Sequence, residues 1–112
     1  MLKIDKFLDT EPVIIKISGI LDSVTTKEFQ NEINDILSLN HKKMIIDFAE
    51  ISYINSKGIK ALIEILKTIS SMRGELYFVA LSPHIYEIFK VLGLDKVFQV
   101  FDNYKDIIAK LT

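Results

Sequence analysis

Between Met44 and Met72 the spacing of apolar residues changes once, dividing the stretch into a strand, a polar corner and a helix. Met44, Ile45, Ile46 and Phe48 form a short apolar run, the pattern of a strand buried on both faces. From Ile59 onward, Ile59, Leu62, Ile63, Leu66, Ile69 and Met72 recur at three- and four-residue steps, which places them on one side of a helix. Between the two runs lies the loop AEISYINSKG, which ends in the polar corner Asn55-Ser56-Lys57-Gly58. The first-turn amides of a helix have no partner within it, and Asn55 or Ser56 is placed to cap them. Orphan amides and the positive end of the helix dipole also suit a phosphate, and a serine hydroxyl stands there.

The flanking sequence repeats the alternation of strand and helix. Leu2 and Ile4 alternate with charged residues, and Phe7-Leu8 closes a first strand before the turn Asp9-Thr10-Glu11-Pro12. Val13, Ile14, Ile15 and Ile17 give a second strand ending at Gly19, and so short a turn implies an antiparallel hairpin. The stretch Ile20–Val24 reads as a loop. A helix follows, with Thr25 and Glu28 spaced as a capping box and Phe29, Ile33, Ile36 and Leu37 as its buried stripe. Strand, helix and strand of this length imply parallel pairing with a right-handed crossover. Beyond the central helix, Gly74 is expected to take the left-handed conformation that ends helices. Leu76–Leu81 reads as a strand, and Ser82-Pro83 opens a helix with Ile85, Ile88, Phe89 and Leu92 inward and Gly93 as its stop. Val97, Phe98, Val100 and Phe101 suggest a last strand. Asp102 or Asn103 then caps a final helix with Tyr104, Ile107, Ile108 and Leu111 inward.

These elements predict an α/β fold: a mixed, mostly parallel sheet of about five strands, the first two an antiparallel hairpin, with about four helices. A chain of 112 residues fits one domain, residues 1–112, and 49% apolar content rules out a disordered chain. Fourteen basic against fifteen acidic residues, scattered along the chain, supply no field for nucleic acid or an anionic membrane. Without cysteine there are no disulfides or thiolate metal sites. The N-terminal MLKIDKFLD carries charges within its apolar pattern and reads as a strand, not as a signal peptide core. No apolar run is long enough to cross a bilayer, so a cytoplasmic domain is expected.

Catalytic chemistry finds little support in the sequence. His41 and His84 belong to no pattern with a serine and an acid, and nothing has the spacing of a metal site. Asp47 and Glu50 could form a carboxylate pair near the corner, but Asp47 reads better as a partner for loop amides. Gly58 is a lone glycine without a nucleotide-cradling array, so no cofactor is expected. The aromatics fall in the apolar periodicities as core residues, with Ile54 pinning the loop and Tyr53 free to be exposed. For Ser56 taken alone, helix capping is the favoured role.

The stretch from Ile45 to Phe98 resembles STAS domains, and specifically bacterial anti-sigma-factor antagonists. The resemblance is carried by Asn55-Ser56-Lys57-Gly58, Arg73-Gly74-Glu75-Leu76, Ser82-Pro83 and Gly93-Leu94-Asp95-Lys96-Val97-Phe98, with Ser18-Gly19-Ile20-Leu21-Asp22 similar to the family's entry into its first helix. It implies a regulator that works by binding. Its unphosphorylated form would capture an anti-sigma factor, often itself a serine kinase, and so free the sigma factor. Phosphorylation would fall on Ser56, and a serine phosphatase would reverse it. The partner surface is then expected around Asp22, Ser23, Tyr53, Asn55, Ser56, Lys57 and Gly58. Asn55 replaces the family's acidic residue, and Lys57 replaces its second serine or threonine.

Two other readings compete with this one. A scaffold domain would keep the fold without the switch, consistent with Asn55 and Lys57. A small-ligand module would use the helix N-terminus for a nucleotide or lipid headgroup.

Overall fold

In the computed structural model, which describes residues 2–112, strand pairing follows from connection length. The strands β1 (Leu2–Phe7) and β2 (Val13–Leu21), joined by a short turn, pair antiparallel. Each later strand follows a helix and pairs in parallel: β3 (Lys43–Ile54), β4 (Glu75–Val79) and β5 (Gln99–Phe101). The sheet order is β1-β2-β3-β4-β5. The helices are α1 (Thr25–Ser38), α2 (Ser56–Ser71), α3 (Pro83–Val91) and α4 (Tyr104–Leu111), with a 3-10 turn at Leu94–Lys96. Among the described residues no helix is long and apolar enough to cross a membrane. The expected mixed sheet with its leading hairpin and four helices is thus the observed one.

Successive right-handed crossovers that always advance the same way place their helices on one face of the sheet. Accordingly α1, α2 and α3 share one core with β2, β3 and β4, in which Val13, Ile15, Phe29, Ile33, Met44, Ile46, Phe48, Leu62, Phe78 and Phe89 are buried. On the opposite face α4 packs alone, Ile107 with Ile45, Tyr77 and Val79. This two-sided cover explains why Met44–Phe48 is buried without alternation.

Several boundaries differ from expectation, each for a local reason. The strand expected at Met44–Phe48 runs on to Ile54, because Ile51 and Ile54 remain buried and pair with β2 while Glu50, Ser52 and Tyr53 face solvent. For the same reason Ile20 and Leu21, read as loop, belong to β2. The expected capping box at Thr25 and Glu28 is absent. Thr25 Oγ1 instead donates to Ile20 O at 2.7 Å, and the Asp22 carboxylate accepts from Val24 N and from Thr25 N, the first amide of α1. At the end of α2 the left-handed residue is Arg73 (φ 57°), not Gly74, and Gly74 N donates to Ile69 O at 2.8 Å. That is a Schellman closure with the glycine one place late. Gly74 is needed for space: a Cβ there would lie 2.0 Å from Lys42 O. Strand β4 ends at Val79 because Ala80 is left-handed (φ 63°). Leu92, Ile108 and Leu111, expected inward, are exposed, since the short α3 and α4 each offer only a narrow strip to the sheet, and Val97 and Phe98, expected in the last strand, precede it. Gly93 (φ 75°) does stop α3 as expected, followed by the 3-10 turn and a last strand of three residues.

Candidate functional site

The Ser56 corner hangs on the seam between β2 and β3, at the C-terminal end of both strands. Leu21 and Ile54 are register partners, and Asn55 N donates to Leu21 O at 3.1 Å, extending the ladder one step beyond the strands. The segment after β2 and the segment after β3 therefore leave the sheet side by side. Ligand and partner sites of open α/β sheets gather in this position.

Asn55 resolves the open question of the cap. Its side-chain oxygen accepts from Lys57 N and Gly58 N, both at 3.1 Å, and its backbone is extended as a cap requires. Ser56 is thereby left as the first helical residue, exposed and without a capping bond. Gly58 is buried where α2 presses on the strand ends, and a Cβ there would lie 2.7 Å from Leu21 O and 2.8 Å from Ile54 Cγ1. Asn55→Ala is expected to cost about 1 kcal/mol, within the usual range for a lost polar cap, with a thermal midpoint lower by about 4 °C. Calorimetry checks it. An unchanged midpoint would mean that the cap carries no stability.

Across the seam, Asp22 Oδ1 accepts from Val24 N at 2.9 Å and Thr25 N at 3.0 Å, while Asp22 N donates to Thr25 Oγ1 at 3.0 Å. The amide hydrogen bonds from Thr25 and Val24 hold the Asp22 carboxyl below the usual carboxylate range. This tight loop fixes Ser23 and Val24 as exposed residues, with Val24 79% exposed. Tyr53 is 48% exposed at the end of β3. Val24 and Tyr53 are thus exposed apolar side chains on the two segments that meet at the seam. The sequence reading named Tyr53 but missed Val24, because its exposure is set by the Asp22 loop and not by any periodicity.

The structure thus gathers Asp22, Ser23, Tyr53, Asn55, Ser56, Lys57 and Gly58 at one end of the sheet. Other candidates lie apart. Asp47 Oδ1 accepts from Ala49 N at 2.9 Å and Oδ2 accepts from Tyr104 Oη–H at 2.6 Å, so its role is to hold the strand and α4 together, not to pair with the exposed Glu50. Burial and the bond to Asp47 push the Tyr104 phenol up. His84 is exposed in the first turn of α3 and His41 is half-buried in the loop before β3. Among the described residues, no group of three or more histidine, aspartate or glutamate residues is arranged to hold a metal ion.

Comparison with known proteins agrees with this architecture. The family model for the STAS domain matches residues 3–107. BtrV of Bordetella bronchiseptica, a protein assigned as an anti-sigma factor antagonist, is 26% identical over 103 residues, covering 92% of this chain and 84% of that protein. An anti-sigma factor antagonist from Mycobacterium paratuberculosis has the same fold, with a TM-score of 0.86 at 21% identity over 98% of this chain and 93% of the other. The Bacillus cell fate determinant SpoIIAA in its phosphorylated form gives a TM-score of 0.76 at 18% identity over 98% of this chain and 100% of the other.

Proposed function

The chain belongs to the STAS domain family, and from that premise we propose that it is an anti-sigma-factor antagonist switched at Ser56. Antagonists of this family are regulators that act by binding and not enzymes. In this reading the unphosphorylated chain binds an anti-sigma factor, itself a serine kinase, and so releases a sigma factor. Phosphorylation of Ser56 ends the binding, and a phosphatase restores it. The partner surface is formed by Asp22, Ser23, Val24, Tyr53, Asn55, Ser56, Lys57 and Gly58.

The observation that carries the proposal is the position of Ser56. It is exposed at the first residue of a 16-residue helix whose cap is supplied by Asn55, so its own hydroxyl is free to react. Phosphate adds about −1.5 to −2 charges, which a helix N-terminus accommodates without refolding. An interface closing over the corner cannot accommodate them, because an unpaired charge buried in it costs several kcal/mol. The fold need not change for binding to be lost.

The test is the intact mass of the chain after incubation with ATP and each serine-kinase anti-sigma factor of its own organism. One added phosphate is expected, absent from Ser56→Ala. Ser56→Ala is expected to retain partner binding, whereas the phosphorylated chain should bind at least about a hundredfold more weakly. A stable complex with no phosphate added would favour the scaffold reading. Neither complex nor phosphate would remove the antagonist reading altogether.

A further inference from the structure

Strand β1 closes one side of the sheet, and its outer edge is open: among the described residues its only strand partner is β2. All of Leu2–Phe7 pairs with β2 in unbroken register, whereas the pairing of β2 with β3 is shifted at two places. Every second residue of such a strand turns its N–H and C=O away from the partner it already has. An edge of this length therefore offers an extended backbone about 20 Å of hydrogen-bonding groups. Lysines commonly guard exposed edges against pairing. Here both are held by acids of the chain itself, Lys3 Nζ by Asp5 at 3.9 Å and Lys6 Nζ by Glu32 at 2.6 Å.

The flank of this edge carries charge of one sign. Helix α1 lies against β1 on the face where Leu2 and Ile4 meet the core. Glu28, Glu32 and Asp35 follow one another at steps of four and three, so they share the side of α1 from which Glu32 reaches Lys6. The hydrogen bond and charge of Glu32, together with the charge of Asp35, raise the Lys6 pKa, as acids close to the strand must. Glu28 and Asp35 are exposed, and among the described residues neither has a cation within ion-pair distance. Three carboxylates thus stand with one ammonium beside an open strand edge, while on the other face Lys3 and Asp5 offset each other.

We propose that the outer edge of β1 is a docking site for an extended basic segment of a partner protein, which adds to the five-stranded sheet and sets lysine or arginine side chains against Glu28 and Asp35. Two chemistries choose this occupant: the open backbone selects a chain in extended form, and the acidic flank selects its charge. Alternate side chains of an added strand fall on the α1 face, so the segment carries its basic residues at every second position. A second copy of this chain fits less well. Pairing β1 with its own copy about a two-fold axis puts both acidic flanks on the same face of the joined sheet, across one seam. The edge lies on the side of β2 away from β3 and involves none of the residues assigned to the Ser56 corner.

The test is titration of the full chain with a short capped peptide of alternating lysine and valine, followed by amide NMR. The peptide is expected to displace the signals of Leu2–Phe7, Glu28 and Asp35 and to slow hydrogen exchange at the outward amides of β1. Methylating the backbone nitrogens of its lysines, or those of its valines, should weaken binding at least about tenfold for the one set that faces β1. Glu28→Gln and Asp35→Asn, both at exposed positions, should each weaken it about twofold to fivefold, the range of an exposed ion pair. A peptide of alternating glutamate and valine should not bind. Affinity unchanged by either methylation would mean attraction by charge without strand addition, and would overturn the site. So would affinity unchanged in the Glu28→Gln, Asp35→Asn double variant, or β1 signals that stay in place. Sedimentation of the free chain as a dimer with protected β1 amides would give the edge to a second copy instead, and overturn the basic-segment reading. No arm uses a kinase or a phosphate on Ser56, so failure here is distinct from failure of the antagonist reading.

Discussion

Phe78→Ala is expected to lower stability by about 3–5 kcal/mol, the usual cost of truncating a buried phenylalanine. Phe78 is fully buried in β4 and stands at the centre of an aromatic cluster. Its ring lies 5.5 Å from that of Phe48, 5.9 Å from Phe89 and 4.9 Å from Phe98, all in edge-to-face arrangements. The cluster joins two neighbouring strands, α3 and the segment just before β5, so the cavity left by truncation has rigid walls that cannot close over it. Domains of this size are stable by about 5–15 kcal/mol, so the loss is a large part of the total and should lower the thermal midpoint by roughly 12–20 °C. Phe7→Ala is the control: Phe7 is 47% exposed, and its removal should cost less than about 1 kcal/mol. Urea unfolding of both variants measures the difference. A loss below about 1 kcal/mol for Phe78→Ala would mean that the core repacks freely.

Gly74→Ala should be nearly as damaging, for a backbone reason. The added Cβ would lie 2.0 Å from the carbonyl oxygen of Lys42 and 2.9 Å from its carbonyl carbon. No side chain can swing aside to relieve such a contact. The same Lys42 carbonyl accepts from Glu75 N at 2.9 Å, and Lys43 and Glu75 open the register of β3 with β4. Separating the two segments therefore breaks the hydrogen bond that starts this pairing. A loss of about 3 kcal/mol or more is expected, at the upper end of what overpacking costs. Equilibrium unfolding decides it, and a variant as stable as wild type would show that the link between α2 and β4 can move.

Much of this architecture is written in the apolar spacing. The buried run at Met44 and the helical steps from Ile59 specify β3 and α2 through the residues they bury, and burial is what periodicity records. The misplacements arise where one residue answers to two demands. Arg73 takes the left-handed position because Gly74 is needed where the chain passes Lys42. Thr25 has the spacing of a helix cap, yet its hydroxyl is drawn to Ile20 O, and the Asp22 carboxylate accepts from the Thr25 amide. Strand β3 looks too short in the sequence because beyond Phe48 its residues face solvent on one side, and the polar positions read as loop. At the corner, Asn55, Ser56, Lys57 and Gly58 were legible as a contiguous motif. Val24 was not, since another loop brings it there.

The strand order has a consequence for how the molecule comes into being. Every strand is hydrogen-bonded to the one synthesised just before it. A chain leaving the ribosome can add each strand to an edge that already exists, with no wait for a strand that is made later. The pieces that make the Ser56 corner all precede Ser71, whereas Phe78, Phe89 and Phe98 come later. The Ser56 end of the sheet is thus laid down first, and the aromatic cluster is completed afterwards.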